Sequence, residues 1–346
     1  MFWLSRMTPP MRDRILIALQ RGVPLCARPF EALARDAGCT EDEVFAVLAA
    51  CRAEGTVRRF GAVFDTRRLG YTSVLCAVRV SRADMDAAAA RLTPLPGVTH
   101  CYAREPRLTA GDGRGEMPNL WFTLSCPAEA FEASLEDVRT RVAPAALHVL
   151  PARRRYKVDV VFGGATRARD ESVVDDLPPL TARERVVIGA LQGDTPVRPD
   201  YFAALTRQIN DHLPAADAFQ EWDLLSCLEV WQRRGRLKRI GLLLAHREAG
   251  WTANGMCCWR IDGETFDAGR ALAACETVTH CYERPPSPVF PYNLYAMIHA
   301  RSLDEAAAQF SALEARCGLS GGTMLISTRE YKKTSMTFFS PGGTVV

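Results

Sequence analysis

The chain has 346 residues and a mass of 38.2 kDa, enough for two or more domains with separate cores. Hydrophobic residues make up 48% and charged residues 24%, which excludes a mainly disordered chain, and a formal charge of +3 is too small for a protein that holds nucleic acid by overall charge. No run approaches the roughly 20 apolar residues of a membrane span, and Met1-Phe2-Trp3-Leu4 is too short for a signal-peptide core, so the expected location is the cytoplasm. The twelve cysteines form no C-x-x-C pair and read as small apolar core residues of a reducing compartment, not as a disulfide or zinc framework.

In chain order, Arg12 to Gln20 places Ile15, Leu16 and Leu19 on one helical face, and Pro29 opens a short helix carrying Phe30 and Leu33. Thr40 with Glu43 forms a capping box ahead of Val44, Val47, Leu48 and Cys51 at helical spacing. Gly55 ends that run, and Val57 to Phe64 reads as the wing strand of a winged helix-turn-helix. The period then changes. Ser73–Val80 is a strand, Ala83–Leu92 a helix, Val98–Arg104 and Asn119–Ser125 strands, Ala128–Val142 a helix and Leu147–Tyr156 a strand. That βαββαβ order is a ferredoxin-like unit.

The plan is written twice. Val57-Arg58-Arg59-Phe60-Gly61 recurs as Leu237-Lys238-Arg239-Ile240-Gly241, Leu69-Gly70-Tyr71 as Ala249-Gly250-Trp251, and Val98-Thr99-His100-Cys101-Tyr102 as Val278-Thr279-His280-Cys281-Tyr282, each displaced by 180 positions. Further on, Asn119-Leu120-Trp121 matches Asn293-Leu294-Tyr295, and Arg154-Arg155-Tyr156-Lys157 matches Arg329-Glu330-Tyr331-Lys332. Thr181 with Glu184 starts the second set of helices, and strands are expected near 236–245, 256–261, 278–284, 294–299 and 323–332. The expected class is α+β, a tandem duplication with winged helix-turn-helix domains at 1–65 and 180–245, ferredoxin-like domains at 66–162 and 246–346, and a Gly-, Pro- and charge-rich linker at 163–179. Two homologous units in one chain make a pseudo-dimer, whose shared interface is free to become asymmetric.

A winged helix-turn-helix followed by a ferredoxin-like domain resembles the leucine-responsive/AsnC regulators, which makes DNA binding the first candidate. The helix that would meet DNA opens with Glu41-Asp42-Glu43 in one half and Glu221-Trp222-Asp223 in the other. Carboxylates there suit the helix dipole but repel a duplex. A closer resemblance lies in the repeated residues. Arg58-Arg59-Phe60-Gly61-Ala62-Val63, Leu69-Gly70-Tyr71, His280-Cys281-Tyr282-Glu283-Arg284-Pro285 and Pro291-Tyr292-Asn293-Leu294-Tyr295-Ala296-Met297-Ile298-His299 together resemble the siroheme decarboxylases, in the fused NirD/NirL form associated with haem d1 biosynthesis. The resemblance spans nearly all of both halves. It implies removal of two acetate carboxyls from siroheme, giving 12,18-didecarboxysiroheme and two molecules of carbon dioxide, for haem d1 or ordinary haem. Siroheme is then the substrate, no further cofactor is required, and neighbouring haem-pathway enzymes are candidate partners. The alternative is an AsnC-type regulator that senses haem or a precursor.

Siroheme carries eight carboxylates on a flat apolar ring, so its site needs cations in forked geometry around an apolar slot, which arginine supplies better than lysine. Arg59 and Arg239 on the wings, Arg104 and Arg284 after the His-Cys-Tyr triplets, and Arg154 and Arg329 on the last strands recur together and are the expected carboxylate binders. Tyr102, Tyr282, Tyr292, Asn293 and Tyr295 join them as expected substrate contacts, although aromatics alternating on a strand also suit a core. Loss of carbon dioxide leaves an electron pair on the methylene carbon that an acid must protonate, and His100 and His280 are the equivalent candidates. A neutral imidazole also suits axial ligation of the substrate iron, and the sequence leaves both roles open; no other metal site is expected. His299 lacks a counterpart in the first half and is a weaker candidate, as is the Lys332-Lys333 pair for a propionate. The first copy departs from the fuller pattern with Glu105 and a Gly-rich loop from Gly111 to Gly115. No phosphate loop, nucleophile elbow, zinc helix or cluster-ligating cysteine spacing is present in the sequence.

Overall fold

A computed structural model describes residues 9–109, 117–158, 177–245 and 250–339. Met1 to Leu4, the Gly111–Gly115 loop, most of the expected linker (163–176) and Ala249 lie outside the described residues.

Helices α1 (Pro9–Arg21), α2 (Pro29–Ala37) and α3 (Glu41–Ala53) precede strand β1 (Val57–Phe64). The Thr40 hydroxyl accepts from the Glu43 N–H at 3.3 Å while the Glu43 carboxylate accepts from the Thr40 N–H at 2.8 Å, which fixes the start of α3. Gly38, in the left-handed region at φ +68°, turns the chain out of α2. The second half repeats the set as α6 (Ala182–Leu191), α7 (Tyr201–Asn210), α8 (Glu221–Arg233) and β7 (Leu237–Leu244), with Thr181 and Glu184 forming the equivalent box.

The two wings do not project separately. β1 and β7 pair antiparallel about the register Gly61↔Gly241, and both helical sets share one core containing Phe30, Phe60, Leu191, Tyr201 and Phe202. Glycine is required at the centre of this ribbon because α1 and α6 end directly on it. A Cβ on Gly61 would lie 2.3 Å from the Gly193 carbonyl oxygen, and one on Gly241 would lie 2.4 Å from that of Leu19.

The ferredoxin-like units comprise β2 (Tyr71–Val78), α4 (Met85–Leu92), β3 (Val98–Thr109), β4 (Leu120–Pro127), α5 (Phe131–Val142), β5 (His148–Leu150) and β6 (Arg154–Val158) in the first half. In the second they are β8 (Ala253–Trp259), α9 (Phe266–Ala274), β9 (Val278–Glu283), β10 (Leu294–Ala300), α10 (Leu303–Cys317) and β11 (Thr323–Lys333). The single strand expected at Leu147–Tyr156 is broken at Pro151-Ala152-Arg153, because proline has no N–H for the ladder. The break has a topological purpose. β5 pairs with β2 of its own half, whereas β6 pairs with β9 of the other. β11 does the same in one piece, pairing with β8 of its own half through Thr323–Ile326 and with β3 of the first half from Thr323 to Lys333.

The result is one sheet of nine strands in the order β5-β2-β4-β3-β11-β8-β10-β9-β6. Its outermost strands are consecutive in the chain, and four residue steps reach at most about 14 Å, so the sheet must curl round on itself. One face carries the helices, α4 and α5 packing through Leu92 and Val138 over Cys101 and Leu120, α9 and α10 through Leu272 and Phe310 over Cys281 and Trp259. The other face turns inward around Trp121, Phe290, Tyr295 and Leu325. All twelve cysteines are free thiols, eight of them buried. No described helix is long and apolar enough to cross a membrane.

Candidate functional site

Alternation along a strand places residues two apart on the same face. In β3 this sends His100, Tyr102 and Arg104 inward and Cys101 into the helical core; in β9 it does the same for His280, Tyr282 and Cys281, and Arg284, one residue past the strand's end, also lines the cavity. The two rows face one cavity of about 550 Å³, roofed by the β1/β7 ribbon. The strip after β11 forms a further wall. There the Phe338 N–H donates to the Gln192 side chain at 2.6 Å, the Gln192 amide returns a bond to the Phe338 carbonyl at 2.9 Å, and Ser335, Met336 and Phe338 line the cavity.

The lining charge is one-sided. Six arginines and one lysine line the cavity, and no Asp or Glu does so among the described residues. Arg59 and Arg239 come from the ribbon, Arg104 and Arg284 from the His-x-Tyr-x-Arg rows, and Arg58, Arg155 and Lys333 complete the set. Arg59 is anchored by donating to the Ala62 carbonyl at 3.0 Å and to the Ser335 hydroxyl at 3.3 Å. Burial, and then the neighbouring Arg58 and Arg239, lower its pKa to about 10, so it remains charged at neutral pH. Arg104 is buried, donates to the Leu325 carbonyl at 3.3 Å, lies 5.3 Å from the Tyr102 ring centroid, and is lowered by burial to about 10. Its counterpart Arg284 donates to the Leu150 carbonyl and lies 4.8 Å from the Tyr282 centroid and 5.7 Å from that of Tyr295. Behind the wall, the buried Asp65 lies 3.6 Å from Arg155 and 3.8 Å from Lys238; burial pushes its carboxyl up, but Lys238, Arg155 and Arg67 outweigh that and hold it below the ordinary range.

His100 Nδ1 lies 3.0 Å from the Thr99 hydroxyl and His280 Nδ1 lies 3.1 Å from that of Thr279, so each imidazole is oriented by the preceding residue. Each ring lies beside its tyrosine, with centroids 6.2 Å apart in both halves. Burial first, then Arg58, Lys333 and His280, lower His100 to about 3. Burial first, then Lys238, Arg155 and Arg284, lower His280 to about 4. Both are neutral at physiological pH. Unfolded imidazoles titrate near 6.5, so below about pH 6.5 the unfolded chain takes up protons that the folded chain refuses. The stability held by neutral histidines is therefore complete above about pH 6.5 and is lost as pH falls through it towards about 4 and about 3. Thermal melts at about pH 7 and about pH 5 should show a larger loss for the wild type than for a His100→Gln/His280→Gln double variant; equal losses would contradict this.

Several expected contacts stand elsewhere. Arg154 is exposed on the far face of β6, 3.9 Å from Glu283, and Arg329 is exposed and paired with Asp86 at 2.6 Å. Neither lines the cavity. The bulge between Arg155 and Lys157 and the break before Arg154 shift the strand's alternation, so that Arg155 faces inward. Asn293 donates to the Ile261 carbonyl and accepts from the Ile261 N–H, as Asn119 does with Val80, so both clamp the edges of their strands. Tyr292 packs 4.8 Å from Phe290 outside the cavity, whereas Tyr295 lines it. Lys332 donates to the Thr93 and Leu95 carbonyls, while Lys333 and His299 line the cavity. Arg58 was legible in the repeated segment, but Arg155, Asn254, Gln20 and Gln192 carried no signal of their own. A larger open groove bordering Arg67, Arg185, Glu129 and Asp137 contains neither His100 nor His280.

Fold and cavity together define a fused pair of winged-helix and AsnC-like units whose wings roof a single cation-lined chamber. An AsnC-like ligand binding domain matches residues 68–157 and 248–332, and a siroheme decarboxylase NirDL-like HTH domain matches 12–58. A siroheme decarboxylase of Hydrogenobacter thermophilus is 33% identical over 338 residues, 95% of each chain. The siroheme decarboxylase NirDL subunit of Paracoccus pantotrophus is 34% identical over 327 residues, 92% of this chain and 94% of that one. A crystal structure of the siroheme decarboxylase NirDL in co-complex with an iron-uroporphyrin III analogue superposes with a TM-score of 0.68 at 28% identity, covering 95% of both chains. The chain belongs to the siroheme decarboxylase family.

Proposed function

We propose that this chain decarboxylates siroheme at two acetate arms, yielding 12,18-didecarboxysiroheme and two molecules of carbon dioxide, with siroheme as the substrate and no further cofactor required. The observation that carries this reading is the cavity lining: seven permanent cations, no carboxylate among the described residues, and two equivalent histidines. A substrate with eight carboxylates is the complement of that lining, and arginine forks hold carboxylates with two parallel bonds. Tyr102, Tyr282 and Tyr295 supply aromatic surface for the ring.

At each acetate the bond between the methylene and carboxyl carbons breaks, carbon dioxide leaves, and the electron pair stays on the methylene carbon, spread into the macrocycle. A proton then completes the methyl group. Burial is the first cause that keeps His100 and His280 uncharged and the surrounding cations the second; the substrate's carboxylates offset the cations' share, so binding raises both imidazoles towards taking a proton from solvent and delivering it. Two His-x-Tyr-x-Arg rows facing one chamber match two acetates on one ring.

Incubation of the protein with siroheme under anaerobic conditions, followed by mass spectrometry, should show loss of two carboxyl groups as carbon dioxide; an unchanged tetrapyrrole overturns the reading. The regulator alternative is disfavoured by the ribbon, since wings paired to each other from Val57↔Leu244 to Phe64↔Leu237 are not free to enter a DNA groove.

A further inference from the structure

A cavity built from two copies of one unit offers a tetrapyrrole two orientations, related by the pseudo-twofold axis. The matched cations cannot choose between them, because Arg59 mirrors Arg239 and Arg104 mirrors Arg284. The choice comes from side chains that differ: Arg58, Arg155 and Lys333 line the cavity without a lining counterpart, and the two walls differ as well. On β4 the inward positions are Trp121, Thr123 and Ser125, and Ser125 pairs with Ser73 on β2. On β10 they are Tyr295, Met297 and His299, and His299 pairs with Asn254 on β8.

The first wall satisfies itself. Ser125 donates to the Ser73 hydroxyl at 2.8 Å and the Trp121 indole donates to the Pro118 carbonyl at 2.9 Å. The second wall does not. The Tyr295 hydroxyl, the Asn254 side-chain oxygen and Arg284 Nε are buried with no hydrogen-bond partner among the described residues, and Tyr295 as a whole is 2% exposed. A buried polar group without a partner is costly to keep, and three on one wall of a ligand chamber indicate that the ligand supplies the partners. Tyrosine hydroxyl and guanidinium Nε are donors, and the Asn254 amide can present either end, so the complement is a carboxylate arm.

We infer that Tyr295 and the Asn254–His299 pair are positioning residues that hold one carboxylate arm of the tetrapyrrole on the second wall, fix which way round the ring lies, and thereby decide which acetate is lost first. The inference rests on the siroheme reading above, and its test separates the two. In a reaction stopped early, the mono-decarboxylated intermediate is isolated and its remaining acetate located by NMR. The wild type should give one regioisomer. Tyr295→Phe, and separately Asn254→Ser/His299→Ser, which installs the residues of the first wall, should each lower the isomer ratio by roughly tenfold, the weight of one hydrogen bond to a charged group. The double variant uses side chains this fold already accepts at the equivalent strand pair, so it guards against a Tyr295→Phe chain that fails to fold. Variants that turn over more slowly but keep the wild-type isomer overturn the positioning role alone, as does a wild type that produces both isomers equally. A wild type that produces no decarboxylated product overturns the siroheme reading and this inference with it.

Discussion

Replacing either His100 or His280 by Asn should slow decarboxylation by about 10²–10⁴-fold at the acetate that histidine serves, the usual weight of a positioned proton donor. Each single variant should accumulate a mono-decarboxylated product, and the double variant should release carbon dioxide more slowly by that factor at both acetates. Binding of an iron uroporphyrin, followed by its Soret band, should change little, because seven cations remain around the ring. The histidines start neutral, lowered to about 3 and about 4, so the wild type should take up protons from a weakly buffered solution when the porphyrin binds, and the double variant should not. Wild-type rates in both single variants would remove the assigned role, and unchanged proton uptake in the double variant would show that other groups charge on binding.

The second large effect concerns the roof. Gly61→Ala and Gly241→Ala should each destabilise the protein by roughly 3 kcal/mol, because the added methyl meets a backbone oxygen at 2.3 Å or 2.4 Å and neither the helix end nor the ribbon can retreat without opening the shared core. The control is Gly189→Ala, inside α6 with nothing within 4 Å of the added carbon, which should gain about 0.5–1 kcal/mol from helix propensity. Urea midpoints for the three variants check this; ribbon variants that melt with the wild type would show that the contact is not rigid.

Periodicity made the helical face of Ile15 and Leu19, the boxes at Thr40 and Thr181 and the β1 strand legible, because those signals are local. The His-x-Tyr-x-Arg rows were legible for the same reason, since alternation alone sends all three side chains of each row to one face. What escaped depended on contacts remote in sequence. The wing was legible as a strand bearing Arg59, but its pairing was not, and only the antiparallel register of Gly61 with Gly241 turns it into a roof. Arg154 and Arg329 recur as faithfully as Arg59 and Arg239, but duplication preserves solvent-facing positions as readily as inward ones. Arg155 faces the cavity through a broken, bulged strand whose parity no local pattern records. Asn293 belonged to the family-like segment, yet its two bonds to Ile261 show it fastening a strand edge.

The crossed last strands bear on how such a molecule is made. Without β6 the outer side of β9 would stand open, and without β11 so would that of β3, each a row of bare amides and carbonyls ready to recruit a stray chain. Translating both units on a single polypeptide delivers the covering strand in equal numbers and at high local concentration. Neither edge then has to wait for a partner from solution, and quality control in the cell meets one folding event where separate subunits would present two sticky intermediates.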